Sequence, residues 1–296
     1  MGLPAPSSFR GRFDVVRQRR RTAVMGILNV TPDSFSDGGQ YLSLDSALHR
    51  AKGMWDEGAD IIDVGGESTR PGSIPISVSE ELRRVLPVIR AIRAELPVCL
   101  SIDTSKPEVM RAAVAAGADM INDVRALRAD GAIEVVKDLG VPVCLMHMQG
   151  EPRTMQAAPG YRDVVRDVWG FLEARVEACE ARGIAREHIL IDPGFGFGKT
   201  LEHNLRLLAG LSSFVASGLP VLVGLSRKSM IGAILNRPVG ERLYGSVALA
   251  VLAAIKGVAM VRVHDVGPTV QALRTVEAVN NFRNDVTNSG GLASVE

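Results

Sequence analysis

Polar side chains follow eight short apolar runs of the sequence, at the points where those runs end. The runs occupy residues 23–28, 61–64, 98–102, 120–122, 141–146, 189–191, 221–225 and 260–263. The polar residues at or just after their ends are Asn29, Asp63, Asp103, Asn122, Asp123, His147, Asp192, Ser226, Arg227, His264 and Asp265. A single Asp after a strand is more often a helix N-cap than a catalytic group. Eight such ends in series instead indicate one shared site.

The types of these residues suggest which ligand the site binds. Lys228 follows the seventh run, and Arg262 and His264 alternate on the eighth run so that both point to the same side. We expect all three to supply positive charge to a phosphate group. The middle runs supply acceptor side chains, namely Asp103, Asn122 and Asp192. Several acceptors together suit the amidine-like donor edge of a pterin or purine, so we predict an enzyme or binding protein for a phosphorylated, nitrogen-rich ring.

Two polar, glycine-rich segments follow the first two runs. The first is MGILNVTPDSFSDGG (25–39), which carries Asp33, Phe35 and Asp37. The second is VGGESTRPGS (64–73), which carries Thr69 and Arg70. Charged and aromatic side chains on long loops beside a site are typical of lids that close over a substrate. We therefore predict that both segments cover the bound substrates.

The segment IDPGFGFGKT (191–200) resembles two phosphate-binding motifs and matches neither. A P-loop needs a glycine at position 193, which is Pro193, and a dinucleotide fingerprint needs one at position 199, which is Lys199. What remains is Asp192 at the end of a run, followed by a loop whose glycines allow the backbone to approach a ligand. Phe195 and Phe197 of this loop can line either a pocket or the neighbouring core.

The elements that must position these residues alternate along the chain. Helix-like amphipathic segments separate the runs at residues 44–57, 78–95, 107–116, 132–139, 161–182, 202–211, 243–256 and 268–282. Several end on a glycine suited to a left-handed C-cap: Gly58, Gly117, Gly140, Gly183 and Gly257. Eight such repeats predict an α/β fold, a single (β/α)8 TIM barrel with its ligand site at the C-terminal ends of the strands. A doubly wound sheet competes, but only a barrel brings all eight polar ends together.

Composition bounds the class of protein and its partners. With 34 Lys and Arg against 33 Asp and Glu in 296 residues, the net charge of +1 offers no global field for nucleic acid or an anionic membrane. The arginine-rich residues 1–22 predict a solvated basic arm or hairpin, 23–284 the barrel, and 285–296 a disordered tail. The sequence lacks a secretory apolar region and a membrane-length apolar run. Three cysteines without metal-like spacing favour a reducing cytoplasm.

Eight motifs together resemble the dihydropteroate synthase family of bacterial folate biosynthesis. They are MGILNVTPDSFSDGG, IIDVGGESTRPG, SIDTSKPEV, INDV, CLMHMQG, IDPGFGFGKT, VGLSRKSMIG and VRVHDV, in order over about residues 25–278. That family forms (β/α)8 barrels, usually homodimers, and condenses 6-hydroxymethyl-7,8-dihydropterin diphosphate with 4-aminobenzoate to give 7,8-dihydropteroate and diphosphate. The resemblance implies the same reaction here, with Mg²⁺ as cofactor and a homodimer, in a family that sulfonamides target.

The resemblance also implies roles for individual residues. Those implied for the pterin and diphosphate are Thr69, Asp103, Asn122, Asp192, Lys228, Arg262 and His264, with Asn29 binding Mg²⁺. Those implied for 4-aminobenzoate are Phe35, Thr69, Arg70, Pro71, Phe195 and Ser226. Those implied in catalysis are Asp33, Asp37, Arg70 and Lys228. Loss of diphosphate leaves a methylene cation on the dihydropterin, which Asp33 or Asp37 would stabilise electrostatically.

Two alternative functions remain open at this point. A barrel that transfers a methyl group from methyltetrahydrofolate also binds a pterin, although it needs neither the run at 226–228 nor the Thr69 and Arg70 segment. A catalytically silent homologue that only binds a ligand or a partner is the non-enzyme alternative, against which the intact loop motifs argue. The quaternary state is open as well, because the apolar helix at 243–255 fits either a dimer face or deep burial.

Overall fold

A computed structural model describes residues 21–30 and 40–288 of the chain, with side chains at 21–30 and 44–279. The strands are β1 (Ala23–Asn29), β2 (Ile61–Gly65), β3 (Cys99–Asp103), β4 (Met120–Asp123), β5 (Val143–Met146), β6 (Ile189–Asp192), β7 (Leu222–Val223) and β8 (Met260–Val263). The α-helices are α1 (Gln40–Asp56), α2 (Val78–Glu95), α3 (Pro107–Ala116), α4 (Ala132–Leu139), α5 (Val164–Ala181), α6 (Leu201–Ala209), α7 (Leu211–Val215), α8 (Ser229–Leu235), α9 (Leu243–Ile255) and α10 (Val266–Asn288). Residues 1–20, 31–39 and 289–296 lie outside the described residues, and with them most of the predicted arm and tail and all of Asp33, Phe35 and Asp37.

The eight strands form one parallel sheet that closes on itself. The hydrogen-bonded order is β6-β5-β4-β3-β2-β1-β8-β7, and a single bridge between Ile191 and Val221 joins the two outermost strands. The backbone N–H of Ile191 also donates to the carbonyl oxygen of Pro220 at 3.0 Å. The predicted (β/α)8 barrel is therefore confirmed, since a doubly wound sheet would leave both outer strands open.

Most helix boundaries agree with the sequence pattern, and the differences involve short elements. Helices α2, α3 and α4 have the predicted bounds, and all five predicted C-cap glycines have positive φ, between 64° and 117°. Helices α7 and α8 were not predicted, and β7 has two residues where a five-residue run was expected. Helices of five to seven residues are too short to show the periodicity on which sequence prediction depends. Over residues 21–30 and 40–288, none of the helices is both long and apolar enough to cross a bilayer.

Period-two alternation within the strands builds the inside of the barrel in layers. The lower layer is apolar and consists of Ala23, Met25, Ile61, Cys99, Met120, Cys144, Leu190, Leu222 and Met260. Two residues further along four of these strands, the inward positions are Asp63, Asn122, Asp192 and Arg262. The outward-facing residues pack against the helices and form the main core. The polar site therefore lies directly on an apolar layer.

Two ion pairs close the opposite end of the barrel, before the strands begin. Arg21 donates from both terminal nitrogens to Asp60, at 2.9 and 2.6 Å, and Asp60 also accepts from the N–H of Val24. Arg93 pairs with the buried carboxylate of Asp119. This end of a TIM barrel serves stability rather than catalysis. These residues accordingly provide control positions for experiments on the mouth.

Candidate active site

One hydrogen-bond network ties four strands together at the C-terminal mouth of the barrel. Arg262 donates from Nε to Asp63 Oδ2 at 2.6 Å and from Nη2 to Asp103 Oδ2 at 2.8 Å. Asn122 Nδ2 donates to the same Asp63 oxygen at 3.1 Å. A guanidinium carries five N–H donors. Since two of them are used here, the rest are available to a bound anion.

Asp63 lies at the centre of this network, although the sequence analysis gave it no substrate role. Its side chain is fully buried, and its Oδ1 has no hydrogen-bond partner among the described residues. A buried polar atom without a partner is costly and usually marks a functional constraint. The position of Asp63 at the end of a strand was visible in the sequence. Its pairing with Arg262, 199 residues away, was not.

Asp192 and Lys228 form the second part of the site. Asp192 is buried, and its Oδ1 accepts from the backbone N–H of Gly194 at 2.7 Å. Burial raises the pKa of Asp192 to about 6, against the opposing effects of the Gly194 N–H and Lys228. Lys228 Nζ lies 4.3 Å from the centre of the Phe197 ring, and burial lowers the pKa of Lys228 to about 8. Lys228 therefore remains mainly protonated at neutral pH and can donate to a ring carbonyl.

The six side chains described so far are together called the polar floor: Asp63, Asp103, Asn122, Asp192, Lys228 and Arg262. Burial raises the pKa of Asp103, while Arg262 lowers it and Asp63 and Glu81 raise it further. With all groups ionised, three carboxylates face two cations, which leaves one net negative charge. An excess of acceptors over cations suits a ligand edge that donates several hydrogen bonds.

Ser226 and His264 occupy the corner beside Arg262. Ser226 Oγ lies 3.1 Å from His264 Nδ1 and accepts from the His264 backbone N–H at 3.2 Å. Burial lowers the pKa of His264 to about 4, and Arg262 and Arg227 lower it further. With its pKa lowered in this way, the His264 ring offers a hydrogen bond, and the positive charge predicted for it toward a phosphate stays a prediction.

The loop after β2 carries Thr69, Arg70 and Pro71 to the rim of the mouth. Thr69 is half-buried, whereas Arg70 and Pro71 are exposed. Arg70 is close enough to contribute to the lowered pKa of His264. A cavity of about 310 Å³ lies between this loop and the loops that follow β3, β4 and β5, and its lining includes both Thr69 and Asp103. The loop therefore borders space that is continuous with the polar floor.

Glu67 and Lys106 fasten this loop to the body of the barrel. Glu67 Oε2 accepts from the backbone N–H of Ile76 at 3.3 Å and pairs with Lys106. The Lys106 ammonium also pairs with Glu81, which is buried in α2. One cation between two carboxylates thereby links the loop to two other elements. This arrangement restrains the segment that carries Thr69 and Arg70.

The sequence left open whether Phe195 and Phe197 line a pocket or belong to the core, and the structure places one in each. Phe195 is 1% exposed and belongs to the main core between strands and helices, so its ring has no surface for a ligand. Phe197 is half-buried, packs against the cluster of Met146 and Met148, and contacts Lys228. We therefore assign no aminobenzoate contact to Phe195, contrary to the prediction. Phe197 is the aromatic residue of this loop that faces the mouth.

Asn29 ends β1 beside Asp103. Asn29 Oδ1 and Asp103 Oδ2 each lie 3.7 Å from the place that a Cβ on Gly65 would occupy, so both oxygens border the same space. Amide and carboxylate oxygens are ligands that Mg²⁺ accepts. Within residues 21–30 and 44–279, no group of three or more His, Cys, Asp or Glu side chains is arranged to hold a metal ion. A cation at Asn29 would therefore depend on water and substrate for most of its ligands.

Comparison with known proteins relates this geometry to one family. The family model described as a pterin binding enzyme matches residues 25–264. The dihydropteroate synthase of Escherichia coli strain K12 is 57% identical over 255 residues, which cover 86% of this chain and 90% of that protein. The Yersinia pestis dihydropteroate synthase, solved in a sulfonamide drug complex, is 53% identical with a TM-score of 0.84 and covers 88% of this chain and 95% of its own. The Xanthomonas albilineans dihydropteroate synthase, solved in complex with 7,8-dihydropteroate, is 51% identical with a TM-score of 0.81, covering 88% and 94%.

Proposed function

The chain belongs to the pterin-binding enzyme family, and from this premise we propose that the mouth of its barrel has dihydropteroate synthase activity. The reaction condenses 6-hydroxymethyl-7,8-dihydropterin diphosphate with 4-aminobenzoate and yields 7,8-dihydropteroate and diphosphate. The observation that carries the proposal is the polar floor, where buried acceptors from four strands meet Arg262 and Lys228. Relatives that are about half identical over nearly the whole barrel carry the same name.

The polar floor is proposed to bind the pterin ring. One oxygen of Asp192 accepts from Gly194, which leaves the other for the ring's N–H donors. Asn122 uses an N–H on Asp63, so its amide oxygen remains an acceptor for the ligand. Lys228 supplies the donor that a ring carbonyl requires. Buried polar groups of this kind discriminate strongly, because a ligand that lacks a matching group leaves them without partners.

The diphosphate is proposed to lie between Arg262, His264 and Asn29. Arg262 keeps free donors after its bonds to the two aspartates, and the His264 ring adds another. Asn29 would hold Mg²⁺ together with phosphate oxygens, and the bound ion would neutralise charge on the leaving group. The donors and charges of the same corner would stabilise the negative charge that develops on the diphosphate as its bond to the methylene carbon weakens.

The chemistry needs no nucleophile from the protein. The bond between the methylene carbon and the bridging phosphate oxygen breaks, and the diphosphate leaves with the electron pair. The amine nitrogen of 4-aminobenzoate then bonds to that carbon and loses a proton. The roles of Asp33 and Asp37 near the developing cation stay predictions, since both lie outside the described residues. The chain's other contribution is to orient the two substrates, which alone lowers a bimolecular barrier considerably.

The second substrate is proposed to lie against the rim formed by Thr69, Arg70 and Pro71, with Ser226 on the opposite side. Arg70 is exposed and lies near enough to His264 to lower its pKa, so its guanidinium is proposed to bind the aminobenzoate carboxylate. Phe35, which is predicted to complete this pocket, lies outside the described residues. A sulfonamide resembles 4-aminobenzoate in shape and would occupy the same place.

A coupled assay of diphosphate release tests the proposed function. We expect diphosphate and 7,8-dihydropteroate to form in equal amounts, only when both substrates and Mg²⁺ are present, and we expect a sulfonamide to compete with 4-aminobenzoate. A methyltransferase would release no diphosphate but would consume methyltetrahydrofolate. A silent homologue would bind the pterin diphosphate without turnover. Either of those results would contradict the proposed activity.

A homodimer is proposed on the apolar face of α8, α9 and the segment between them. This face exposes Ile234, Leu235, Val239, Tyr244, Leu252 and Ile255, with Tyr244 85% and Ile255 63% exposed. Only Ser246, Ala250 and Ala253 of α9 are fully buried within the chain. Deep burial, the other explanation of this apolar helix, therefore does not apply to most of it. Several exposed apolar side chains on neighbouring elements of the chain support an interaction site there.

Light scattering after size exclusion tests the dimer. We expect the wild-type protein to have twice the 31.6 kDa mass of the chain. Leu252→Glu together with Ile255→Glu should give a monomer, because two charges would be buried in the interface. Trp55→Glu on α1 places a charge on a different exposed apolar residue and should leave the mass unchanged. A wild-type monomer would overturn the proposal.

We propose that the enzyme is cytoplasmic, and the state of its cysteines supports this. All three cysteines are buried and lie outside any disulfide, as is usual for proteins of a reducing compartment.

A further inference from the structure

Lys199, which stands where a dinucleotide fingerprint needs a glycine, is buried below the loop that follows β6. Its side chain is 3% exposed. Its ammonium lies 2.8 Å from the carbonyl oxygen of Gly194, 3.0 Å from that of Phe197 and 2.9 Å from His147 Nδ1. An ammonium has three N–H donors, so these three acceptors satisfy it completely.

The loop that Lys199 holds is packed backbone to backbone against the end of β5. A Cβ on Gly194 would lie 1.8 Å from the carbonyl oxygen of His147, and a Cβ on Gly198 would lie 2.4 Å from that of Gln149. Such close approach allows no side chain at either glycine. This packing restricts the position of the loop. The carbonyl oxygens of Gly194 and Phe197 point to its buried side, where Lys199 supplies the donors.

The conformation of this loop decides where Phe197 stands. Lys199 binds the carbonyl of Phe197 itself, and the Phe197 ring supports the Lys228 ammonium at 4.3 Å from its centre. A cation over an aromatic face is stabilised by the ring. The path therefore runs from His147 through Lys199 and Phe197 to Lys228. Each step is a contact between neighbouring groups.

We propose that Lys199, held from behind by His147, is a positioning residue for the pterin site and acts on Lys228 through the backbone and ring of Phe197. The proposal rests on the proposed function only for the choice of ligand. Methionine at position 199 would keep the length of the side chain and remove all three donors. The Gly194 and Phe197 carbonyls would then lose their buried partner, and Phe197 would no longer be fixed beneath the cation.

A double-mutant cycle on pterin diphosphate binding tests the path. Calorimetry should show Lys199→Met weakening the complex about tenfold and Phe197→Leu about tenfold, with the double variant little weaker than either, because both changes interrupt the same path. The KM for 4-aminobenzoate at saturating pterin diphosphate should stay unchanged. Mere loss of stability would lower the amount of active enzyme without changing the dissociation constant.

Lys256→Met is the matched control. The Lys256 ammonium also donates to a backbone carbonyl, that of Ala209 at 3.1 Å, but on the outside of the barrel, so we expect no change in affinity. If Lys199→Met does not fold, a cycle of His147→Phe with Phe197→Leu replaces it. His147→Phe removes only the ring nitrogen that contacts the Lys199 ammonium. Multiplicative losses in the cycle, or unchanged affinity in Lys199→Met, would overturn the proposal. A wild-type protein that does not bind pterin diphosphate would overturn both this inference and the proposed function.

Discussion

Replacing Arg262 with methionine is expected to weaken binding of the pterin diphosphate by about 1000-fold and binding of the unphosphorylated hydroxymethyldihydropterin by only about tenfold. The smaller loss comes from the polar floor, where Asp63 and Asp103 would lose the guanidinium that they share. The larger loss adds the charge-assisted hydrogen bonds to phosphate, which contribute about 1.5–3 kcal/mol each, or roughly 10- to 150-fold. Calorimetry with both ligands separates the two effects.

The same substitution should also destabilise the folded protein. Arg262 is 19% exposed and Asp63 fully buried, so removal of the cation leaves an uncompensated charge inside the barrel. Breaking a buried pair in this way costs about 3–5 kcal/mol, which urea unfolding would measure. Arg262→Lys keeps the charge without the planar fork and should recover stability better than phosphate affinity.

Arg21→Met is the matched control for Arg262. It removes a guanidinium that also binds a buried aspartate, Asp60, but at the opposite end of the barrel. We expect it to lower the free energy of unfolding without changing either dissociation constant. Equal weakening of both ligands by Arg262→Met would show that Arg262 serves the ring and the fold alone, and that the diphosphate is bound elsewhere.

The sequence predicted the barrel well because its signal repeats. Each strand is a short apolar run and most of the long helices are amphipathic, so an error at one element does not disturb the count of eight. The failures occur where one element is too short to carry a pattern, as in β7, α7 and α8. Those short elements still matter, because α8 begins directly after Lys228. Its N-terminus helps to set the backbone on which Lys228 stands.

The sequence was less informative about the site, because residue types do not reveal partners. Strand ends and alternation brought Asp103, Asn122 and Asp192 to the mouth as expected. They did not show that Arg262 would bind two aspartates, or that burial and neighbouring cations would lower the pKa of His264. Lys199 illustrates the same limit. Its segment matched neither phosphate-binding motif and indicated no role for it, and its three partners were identifiable only in three dimensions.

Replacing Asp192 with asparagine is expected to weaken the pterin diphosphate complex by about 10- to 150-fold at a pH near 8, and to remove much of its pH dependence. An ionised carboxylate accepts stronger hydrogen bonds from the ring's N–H donors than an amide oxygen does, by about 1.5–3 kcal/mol. The exchange preserves size, so the apolar layer below stays intact. Calorimetry between about pH 5 and pH 8 on both proteins measures the effect.

The pH dependence follows from the pKa of Asp192, which burial raises to about 6. The ring binds the ionised form, so in the wild-type protein affinity should fall as the pH drops through 6, approaching tenfold for each further unit. The dependence that persists in Asp192→Asn belongs to the rest of the floor, chiefly to Asp103, whose pKa is also raised by burial. Asp119→Asn, which changes a buried aspartate at the other end of the barrel, should leave the profile as it is in the wild type.

The pH dependence of the free energy of unfolding provides a second check on Asp192. As the pH falls, Asp192 should make the protein more stable while it weakens pterin binding. The pKa of Asp192 is raised on folding from 3.8 to about 6, so the folded state binds the proton more tightly than the unfolded state. The contribution of Asp192 to the free energy of unfolding should therefore increase as the pH falls from about 6 to about 4. Compared with Asp192→Asn, the wild type should gain relative stability over the same range in which it loses pterin affinity. A parallel loss of affinity and relative stability would mean that the site is unfolding rather than that Asp192 is titrating, and an unchanged dissociation constant in Asp192→Asn would remove this residue from the pterin site.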